Sequence, residues 1–316
     1  MTESSEKRLP WLAEFYRFIY RRRTSWPLAA RVGKFSLFEQ LKFRLYPRLI
    51  KRMTATRRHI CFPDRLDSFE MELTGVDGSV SLDLILQGEY EPEWAAAFED
   101  WFREADVFID VGANLGYYSL WAAHRADGPG EIHAFEPFSR TRQKLSDNRR
   151  LARKEAQDKI QIHPVAAGRE SSVQAVAVSA DLGLSSLVPS EAVNVTQPEQ
   201  IRIEPLDSLL AFKSRKVFVK LDTEGFEWPA LQGLRNLWRD NEVRLFFEFT
   251  PRFYTRLAPD DSEYPLKFLQ WLNEEGFALR VGESQAEMVP LDCISSFLNS
   301  FKGVQTHILA EKSPGG

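Results

Sequence analysis

The sequence has little cysteine and no long apolar run, and each absence excludes a class of protein. Only two of the 316 residues are cysteine, Cys61 and Cys293, which is too few for a disulfide framework, and they lack the spacing of a metal site. No apolar stretch approaches the roughly 18 residues that a membrane-spanning helix needs. Residues 1–10 also lack the apolar core of a secretory signal. With 43% hydrophobic and 27% charged residues, the chain is predicted to be a globular protein of a reducing, cytoplasmic compartment.

Charge is distributed unevenly along the chain. Residues 1–58 carry fifteen Lys and Arg side chains against four Glu, although the whole chain has a formal net charge of −4. Apolar positions recur at helical spacing within 11–19 and 38–49. We therefore predict a basic helical arm at 1–69, followed by one domain at 70–316. Three roles are open for the arm: its apolar stripes pack on the domain, or it lies on an anionic membrane at the inner surface, or it binds another anionic partner.

The rest of the chain alternates between strand and helix patterns. An alternating stretch from residue 69 predicts a strand pair that turns through Asp77-Gly78. Further strands are predicted at 107–111, 132–135, 160–163, 217–221 and 243–249, with helices at 93–102, 117–126, 139–153, 229–237 and 265–275 and an inserted hairpin at about 170–190. Continuous apolar strands that alternate with helices predict an α/β fold, namely a Rossmann-like, doubly wound and mostly parallel sheet.

The segment VFIDVGANLG at 107–116 is an apolar strand followed by an acid, a glycine turn and a helix. Ligands bind at the carboxyl ends of such strands, and glycine allows the backbone to approach a ligand closely. We predict a cofactor site formed by five residues of this region: Asp110, Gly112, Asn114, Gly116 and Glu136. Glu136 stands 20 residues after Gly116, the spacing at which an acid reaches a ribose.

The identity of the nucleotide follows from the sign of the charge. A dinucleotide site has the pattern G-x-G-x-x-G, whereas Asn114 stands where the second glycine would be. Asp110 would repel a pyrophosphate, but it would attract the cationic amino-acid end of S-adenosylmethionine. The motif therefore favours a methyltransferase over a dehydrogenase. An α/β domain without a nucleotide is the remaining alternative, because glycine turns are common in such folds.

A second segment, VFVKLDTEGFE at 217–227, brings three charged residues to the end of a strand. Lys220, Asp222 and Glu224 recur with period two, which places them on one face. Unpaired buried charges are costly, so this trio indicates an active site beside the ligand crevice. The alternative is a strand end closed by structural ion pairs.

Four phrases carry a resemblance to a known family. They are FIDVGANLGYYS (108–119), AFEP (134–137), LDS (206–208) and KLDTEGFE (220–227). Over about 85–250 the sequence resembles the FkbM family of S-adenosylmethionine-dependent methyltransferases. The resemblance implies a class I methyltransferase fold and transfer of a methyl group to a hydroxyl of a sugar, glycan, glycolipid or related natural product.

Alkylation of an alcohol requires a group that takes its proton, and such a base contributes roughly 10²–10⁴-fold in rate. Asp222 or Glu224 is the predicted base, with Lys220 holding the oxygen or orienting the acid, and Asp222 is also expected beside the cofactor. Mg²⁺ held by Asp222, Glu224 and Glu248 is a further hypothesis, since hard oxygen ligands suit that ion. Among the histidines, His163 is the alternative base, whereas the sequence identifies no partner for His124 or His307.

Two other function classes fit parts of the sequence. A non-catalytic S-adenosylmethionine-fold module would use the arm to bind a membrane or an acidic polymer, but it has no need of Lys220, Asp222 and Glu224. An RNA methyltransferase would use the basic arm, yet the chain beyond it is acidic and would repel phosphate. We therefore expect no nucleic-acid partner. The sequence leaves the acceptor and the oligomeric state open.

Overall fold

A computed structural model describes residues 57–62, 65–73, 80–81, 84, 89–178, 186–188, 197–301 and 305–312. The chain divides into two compact units, Met1–Tyr90 and Glu91–Gly316. The boundary predicted after residue 69 lies within the first unit, and the predicted arm helices at 11–19 and 38–49 lie outside the described residues. None of the helices in the described part of the chain has both the length and the apolarity that a bilayer crossing requires.

The second unit is built on an eight-stranded sheet. Its strands are β3 (Val107–Val111), β4 (Glu131–Phe135), β5 (Ile160–His163), β9 (Lys216–Leu221), β10 (Glu242–Phe249), β11 (Ala278–Gly282), β12 (Val289–Pro290) and β13 (Thr306–Lys312). Their order across the sheet is β12-β11-β13-β10-β9-β3-β4-β5. The five strands from β5 to β10 are parallel, whereas β13 is antiparallel to both β10 and β11. This arrangement confirms the predicted doubly wound, mostly parallel fold of the class I methyltransferase type.

Helices alternate with these strands as the sequence pattern predicts. They are α1 (Ala95–Glu104), α2 (Tyr117–His124), α3 (Ser139–Leu151), α4 (Lys154–Lys159), α5 (Glu227–Gln232), α6 (Leu237–Asp240), α7 (Pro251–Leu257), α8 (Tyr264–Glu274) and α9 (Ile294–Ser300). The helix predicted at 229–237 is two short helices. They separate near Gly233, where a Cβ atom would lie 2.0 Å from the Gly168 carbonyl oxygen.

The two faces of the sheet are packed differently. On one face α5, α6 and α8 cover aliphatic residues of β3 and β9, which are Val107, Ile109, Val111, Val217, Val219 and Leu221. On the other face Phe108, Phe218 and Phe246 contact the aromatic side chains of α1. Because alternate residues of a strand face opposite sides, Asp110 lies on the same face as Phe108, and Lys220 lies on the same face as Phe218. Both charged residues lie closer to the carboxyl ends of the strands than these aromatic side chains.

Two pairings differ from the sequence-based expectations. The strand β2 (Phe69–Leu73) pairs with β1 (Arg57–Cys61), not with the stretch after Asp77-Gly78, where residues 80 and 81 have helical backbone. A turn signal acts only locally, whereas the buried Phe69, Met71 and Leu73 select their partner through tertiary packing. In the insertion, β7 (Ser172–Val176) pairs with β8 (Glu199–Glu204), which also pairs with β6 (Ala166–Ala167).

Candidate active site

The candidate site lies where the direction of winding reverses. From β3 the chain adds β4 and then β5 on one side of β3, and it later adds β9 and then β10 on the other side of β3. The loops after β3 and β9 therefore leave a crevice between them at the carboxyl edge, the usual ligand position in such sheets. Both charged motifs of the sequence meet here, since Asp110 and Lys220 are partners across β3 and β9.

Gly112 brings the two loops into contact. Its φ is +80°, and a Cβ atom added to it would lie 2.0 Å from the carbonyl oxygen of Asp222. The Asp222 amide donates a hydrogen bond to the Val111 carbonyl at 3.0 Å. Only glycine satisfies both the left-handed backbone and the close approach, which explains why this position cannot carry a side chain.

The rest of the glycine turn is hydrogen-bonded to Glu136, the residue that follows β4. Asn114 and Gly116 both have positive φ, and the Asn114 amide donates to Glu136 Oε2 at 3.0 Å. The Phe138 amide donates to Glu136 Oε1, also at 3.0 Å. Burial nevertheless raises the pKa of Glu136 to about 8, against the opposing effect of these two amides.

Two polar oxygens in this turn are enclosed without a donor. Asp110 Oδ2 accepts a hydrogen bond from the Ser119 hydroxyl at 2.6 Å, but Asp110 Oδ1 has no partner among the described residues, and neither has Asn114 Oδ1. Burial raises the pKa of Asp110, although Lys220 and the Ser119 hydroxyl oppose the shift. An enclosed acceptor without a donor is costly, so these two atoms indicate that a ligand with hydrogen-bond donors binds here.

Lys220 is a buried cation of the site. It is 4% exposed, and its Nζ lies 3.1 Å from Asp222 Oδ2. Burial disfavours the charged ammonium, but the carboxylates of Asp222, Asp110 and Glu91 outweigh this effect and raise the pKa of Lys220. The side chain thus stays a cation between the two motifs.

Glu91 and Tyr118 are site residues that sequence reasoning missed. The Tyr118 hydroxyl donates to the Glu91 carboxylate, and Lys220 Nζ lies 4.8 Å from the centre of the Tyr118 ring. Burial raises the pKa of Glu91 to about 7, while Lys220 and Tyr118 lower it. Glu91 has a φ of +48°, and this strained backbone is the only local feature that sets it apart, so no sequence motif could have identified it.

Glu224 and Glu248 flank Asp222, but they do not form the hypothesised metal site. Among the described residues no group of three His, Cys, Asp or Glu side chains is arranged to hold a metal ion. Burial and the Asp222 carboxylate raise the pKa of Glu224 well above its ordinary value, and they raise that of Glu248 to about 8. Lys220 already pairs with Asp222, and the described carboxyls form no metal-holding group, so the Mg²⁺ hypothesis is not supported.

Glu227 fixes the loop that carries Asp222 and Glu224. Its Oε1 accepts hydrogen bonds from the Thr223 amide at 3.0 Å, the Thr223 hydroxyl at 2.8 Å and the Gly225 amide at 3.2 Å. Glu227 is 1% exposed. It belongs to the second charged motif, yet its role is to position the loop, which the acidic spacing alone could not distinguish from a catalytic role.

Comparison with known proteins places this site within one family. The family model "Methyltransferase FkbM domain" matches residues 110–279, more than half of the chain. No curated protein matches the chain. The FkbM methyltransferase structure from Methylobacillus flagellatus is 16% identical with a TM-score of 0.43, and the match covers 72% of this chain and 52% of that one. The chain therefore spans about half the length of that relative.

Two further solved structures are similar at a lower level. A putative O-methyltransferase from Klebsiella pneumoniae is 13% identical, with a TM-score of 0.41 and coverage of 71% of this chain and 80% of that one. An O-methyltransferase from Bacillus cereus, solved with S-adenosylhomocysteine, is 10% identical, with a TM-score of 0.39 and coverage of 71% and 83%. The family assignment rests on the family model.

Replacing Gly112 by Ala should damage the site, because the new Cβ would collide with the Asp222 carbonyl oxygen. We expect the free energy of unfolding to fall by at least about 2 kcal/mol, measured by urea denaturation. Gly130→Ala is the matched control, because a Cβ there meets nothing within 4 Å, and it should change the free energy by less than about 0.5 kcal/mol. Equal effects of the two substitutions would contradict the close contact.

Proposed function

Because this chain belongs to the FkbM methyltransferase family, we propose that it transfers the methyl group of S-adenosylmethionine to a hydroxyl of a saccharide-containing acceptor. The observation that carries the proposal is the contact between the loops after β3 and β9, which joins a glycine turn with unpaired acceptor atoms to the Lys220–Asp222 pair. The glycine turn suits the cofactor, and the Lys220–Asp222 pair suits the acceptor. The family assignment supports methyl transfer, and the choice of oxygen and of a saccharide is our proposal.

The residues present fit S-adenosylmethionine. Its amino group offers the donors that Asp110 Oδ1 and Asn114 Oδ1 lack, and an acid near a cationic amino-acid end is favourable. Glu136 stands after the neighbouring strand, where its carboxylate can accept from a ribose hydroxyl pair. Gly112 and Gly116 shape the turn, because the Asp222 carbonyl oxygen and the Leu145 side chain lie where their Cβ atoms would be. When bound, this cofactor supplies an electrophilic methyl group on a cationic sulfur.

The chain's own residues act on the acceptor through orientation and charge. Lys220 donates toward the acceptor oxygen, and Asp222 orients the hydroxyl beside it. Alignment of the oxygen with the methyl carbon is a major part of such catalysis. Glu224 is the less favourable of the two predicted bases, because burial and the Asp222 carboxylate raise its pKa and so favour its protonated form. Asp222 therefore stays the candidate base of the second motif.

The basic arm would bring the domain to its acceptor. An excess of positive charge on residues 1–58 is attracted to an anionic membrane by roughly 1 kcal/mol per Lys or Arg near the surface. We propose peripheral contact with the cytoplasmic membrane surface, which would bring the domain close to a glycolipid acceptor. The arm's other two roles, packing on the domain and binding another anionic partner, remain alternatives.

The function is tested by binding and transfer together. We expect calorimetry to show micromolar binding of S-adenosylmethionine and S-adenosylhomocysteine and none of NAD. Radiolabelled methyl transfer is then measured on methyl glycosides of hexoses and 6-deoxyhexoses, a glycosylated diacylglycerol, a polyketide lactone and an RNA oligonucleotide. Labelling of a saccharide-containing member supports the proposal. Labelling of the RNA alone, or binding without transfer to any member, would overturn it in favour of the RNA enzyme or the binding module.

Asp222→Asn and Lys220→Ala should each lower kcat by at least about 100-fold, because both residues act on the acceptor. The dissociation constant for S-adenosylhomocysteine, measured by calorimetry, should stay within about threefold of the wild-type value. Lys216→Ala, at the exposed amino end of the same strand β9, is the control and should leave both quantities unchanged. Near-normal kcat in Asp222→Asn would move the base elsewhere.

Cofactor affinity should depend on pH through Glu136. Its raised pKa, about 8, leaves it mostly protonated at pH 6, whereas hydroxyl donors stabilise the ionised form. Binding then releases a proton, so affinity for S-adenosylhomocysteine should rise between pH 6 and 8, at most about tenfold per unit. Glu136→Gln should remove most of this rise. A slope that persists unchanged in the variant would refute the ribose role.

A further inference from the structure

We propose that His307, on the antiparallel strand β13, takes the proton of the acceptor hydroxyl, with Asp222 as its charge partner. This assignment rests on the proposed function and transfers the base role from Asp222 to a neighbouring imidazole. His307 lies outside the family-model match, which ends at residue 279, and no sequence motif contains it.

The sheet register places His307 at the acceptor half of the site. His307 is the cross-strand partner of Glu248 on β10, and paired residues share a face of the sheet. Glu248 and Asp222 each follow, by one residue, the paired Phe247 and Leu221 of β10 and β9. Asp222, Glu248 and His307 thus form one row along the carboxyl edge, on the side away from the cofactor turn after β3.

The ring of His307 is held between aromatic side chains. It stacks on Phe246, with ring centres 5.1 Å apart and an angle of 8°, and Trp94 packs against it edge-on at 4.9 Å. The residue is 8% exposed. A ring fixed in this way loses little further freedom when it meets a substrate, which is the preorganisation that proton transfer requires.

Neither ring nitrogen is committed to a structural hydrogen bond. Nδ1 is enclosed without a partner among the described residues, and no described residue bonds to Nε2, which is not enclosed. A purely structural buried histidine would normally use its nitrogens, as His124 does through Nδ1 and the Leu120 carbonyl at 2.8 Å. His307 is therefore a buried imidazole whose two nitrogens are not held by any described residue.

Burial keeps the His307 ring neutral, while the Asp222 carboxylate favours its protonated form. Burial lowers the pKa of His307 to about 4, although Asp222 opposes the shift, so the ring is neutral and has a free lone pair. Burial and the Asp222 carboxylate raise the pKa values of its neighbours Glu224 and Glu248. The neutral imidazole lies in the same row as these carboxyls and has a lone pair that can accept a proton.

The step balances in atoms and charge. With the ring proton on Nδ1, the acceptor O–H bond breaks and its proton passes to Nε2 as the oxygen bonds to the methyl carbon. The methyl–sulfur bond breaks and its electron pair stays on the sulfur. The positive charge of the sulfonium is thereby replaced by that of the imidazolium, which the Asp222 carboxylate stabilises.

The first test requires no acceptor. The histidine rings of ¹⁵N-histidine-labelled full-length protein are followed by NMR during titration with sinefungin, a cofactor analogue with an amine in place of the transferred methyl group, and with S-adenosylhomocysteine. The His307 signals, assigned by their loss in His307→Phe, should shift with sinefungin and much less with S-adenosylhomocysteine, whereas His124 should not respond. Unshifted His307 signals with sinefungin bound would overturn the assignment. If neither compound binds, the proposed function fails instead.

The second test separates a functional role from a structural one. His307→Phe keeps the stacking and removes an unpaired nitrogen, so we expect Tm to be unchanged or higher. Its affinity for S-adenosylhomocysteine should be unchanged, while kcat on the best methyl glycoside falls at least about 100-fold. His307→Gln should be equally impaired, because an amide is no base, whereas His124→Gln should keep its kcat. A lower Tm with normal kcat, or normal kcat in His307→Gln, would overturn the proposal.

Discussion

The contact between Gly112 and the Asp222 carbonyl is the constraint on which the site depends. It allows the loop after β3 to touch the loop after β9, so that a turn suited to a cofactor and a pair suited to an acceptor share one crevice. A side chain at residue 112 would separate the loops by the width of a methyl group at least, since its Cβ would lie 2.0 Å from the Asp222 oxygen. Methyl transfer requires in-line alignment of two bound molecules, and small displacements are costly.

One buried lysine determines the charge balance around this contact. Asp110, Asp222 and Glu91 all stabilise the Lys220 ammonium, and Lys220 in turn limits the rise in pKa that burial imposes on Asp110 and Glu91. Removal of one partner from such a group leaves an uncompensated buried charge, which costs more than the loss of the pair's attraction. Glu224 and Glu248 have raised pKa values because burial and the Asp222 charge act on them. Lys220 does not compensate these effects as it does for Asp110 and Glu91.

Elements and residues that follow from local patterns could be predicted from the sequence, whereas those that depend on tertiary pairing could not. The buried strand Val107–Val111 and the helix after it follow from a continuous apolar run and a glycine turn. The structure has the strand at the predicted residues and the helix at Tyr117–His124, two residues shorter than predicted. The partner of Phe69–Leu73 and the strand β13 depend on contacts distant in sequence, which periodicity does not contain. Likewise, spacing identified Lys220 and Asp222, whereas Glu91 and His307 reach the site through a strained turn and the sheet register.

The aromatic face of the sheet explains why so many groups at its edge have shifted pKa values. Phe108, Phe218 and Phe246 form an apolar layer beneath the row that begins with Asp110 and Lys220, and α1 covers them from above. Ionised groups at the end of such a layer lose hydration on one side and keep only the compensation that neighbouring charges provide. Such a site favours a reaction that transfers charge between groups already in place over a reaction that creates a new, unpaired charge. The proposed transfer of a methyl group from a cationic sulfur to a neutral hydroxyl would be a reaction of that type, since one positive charge would enter the site with the cofactor and one would remain on the protein.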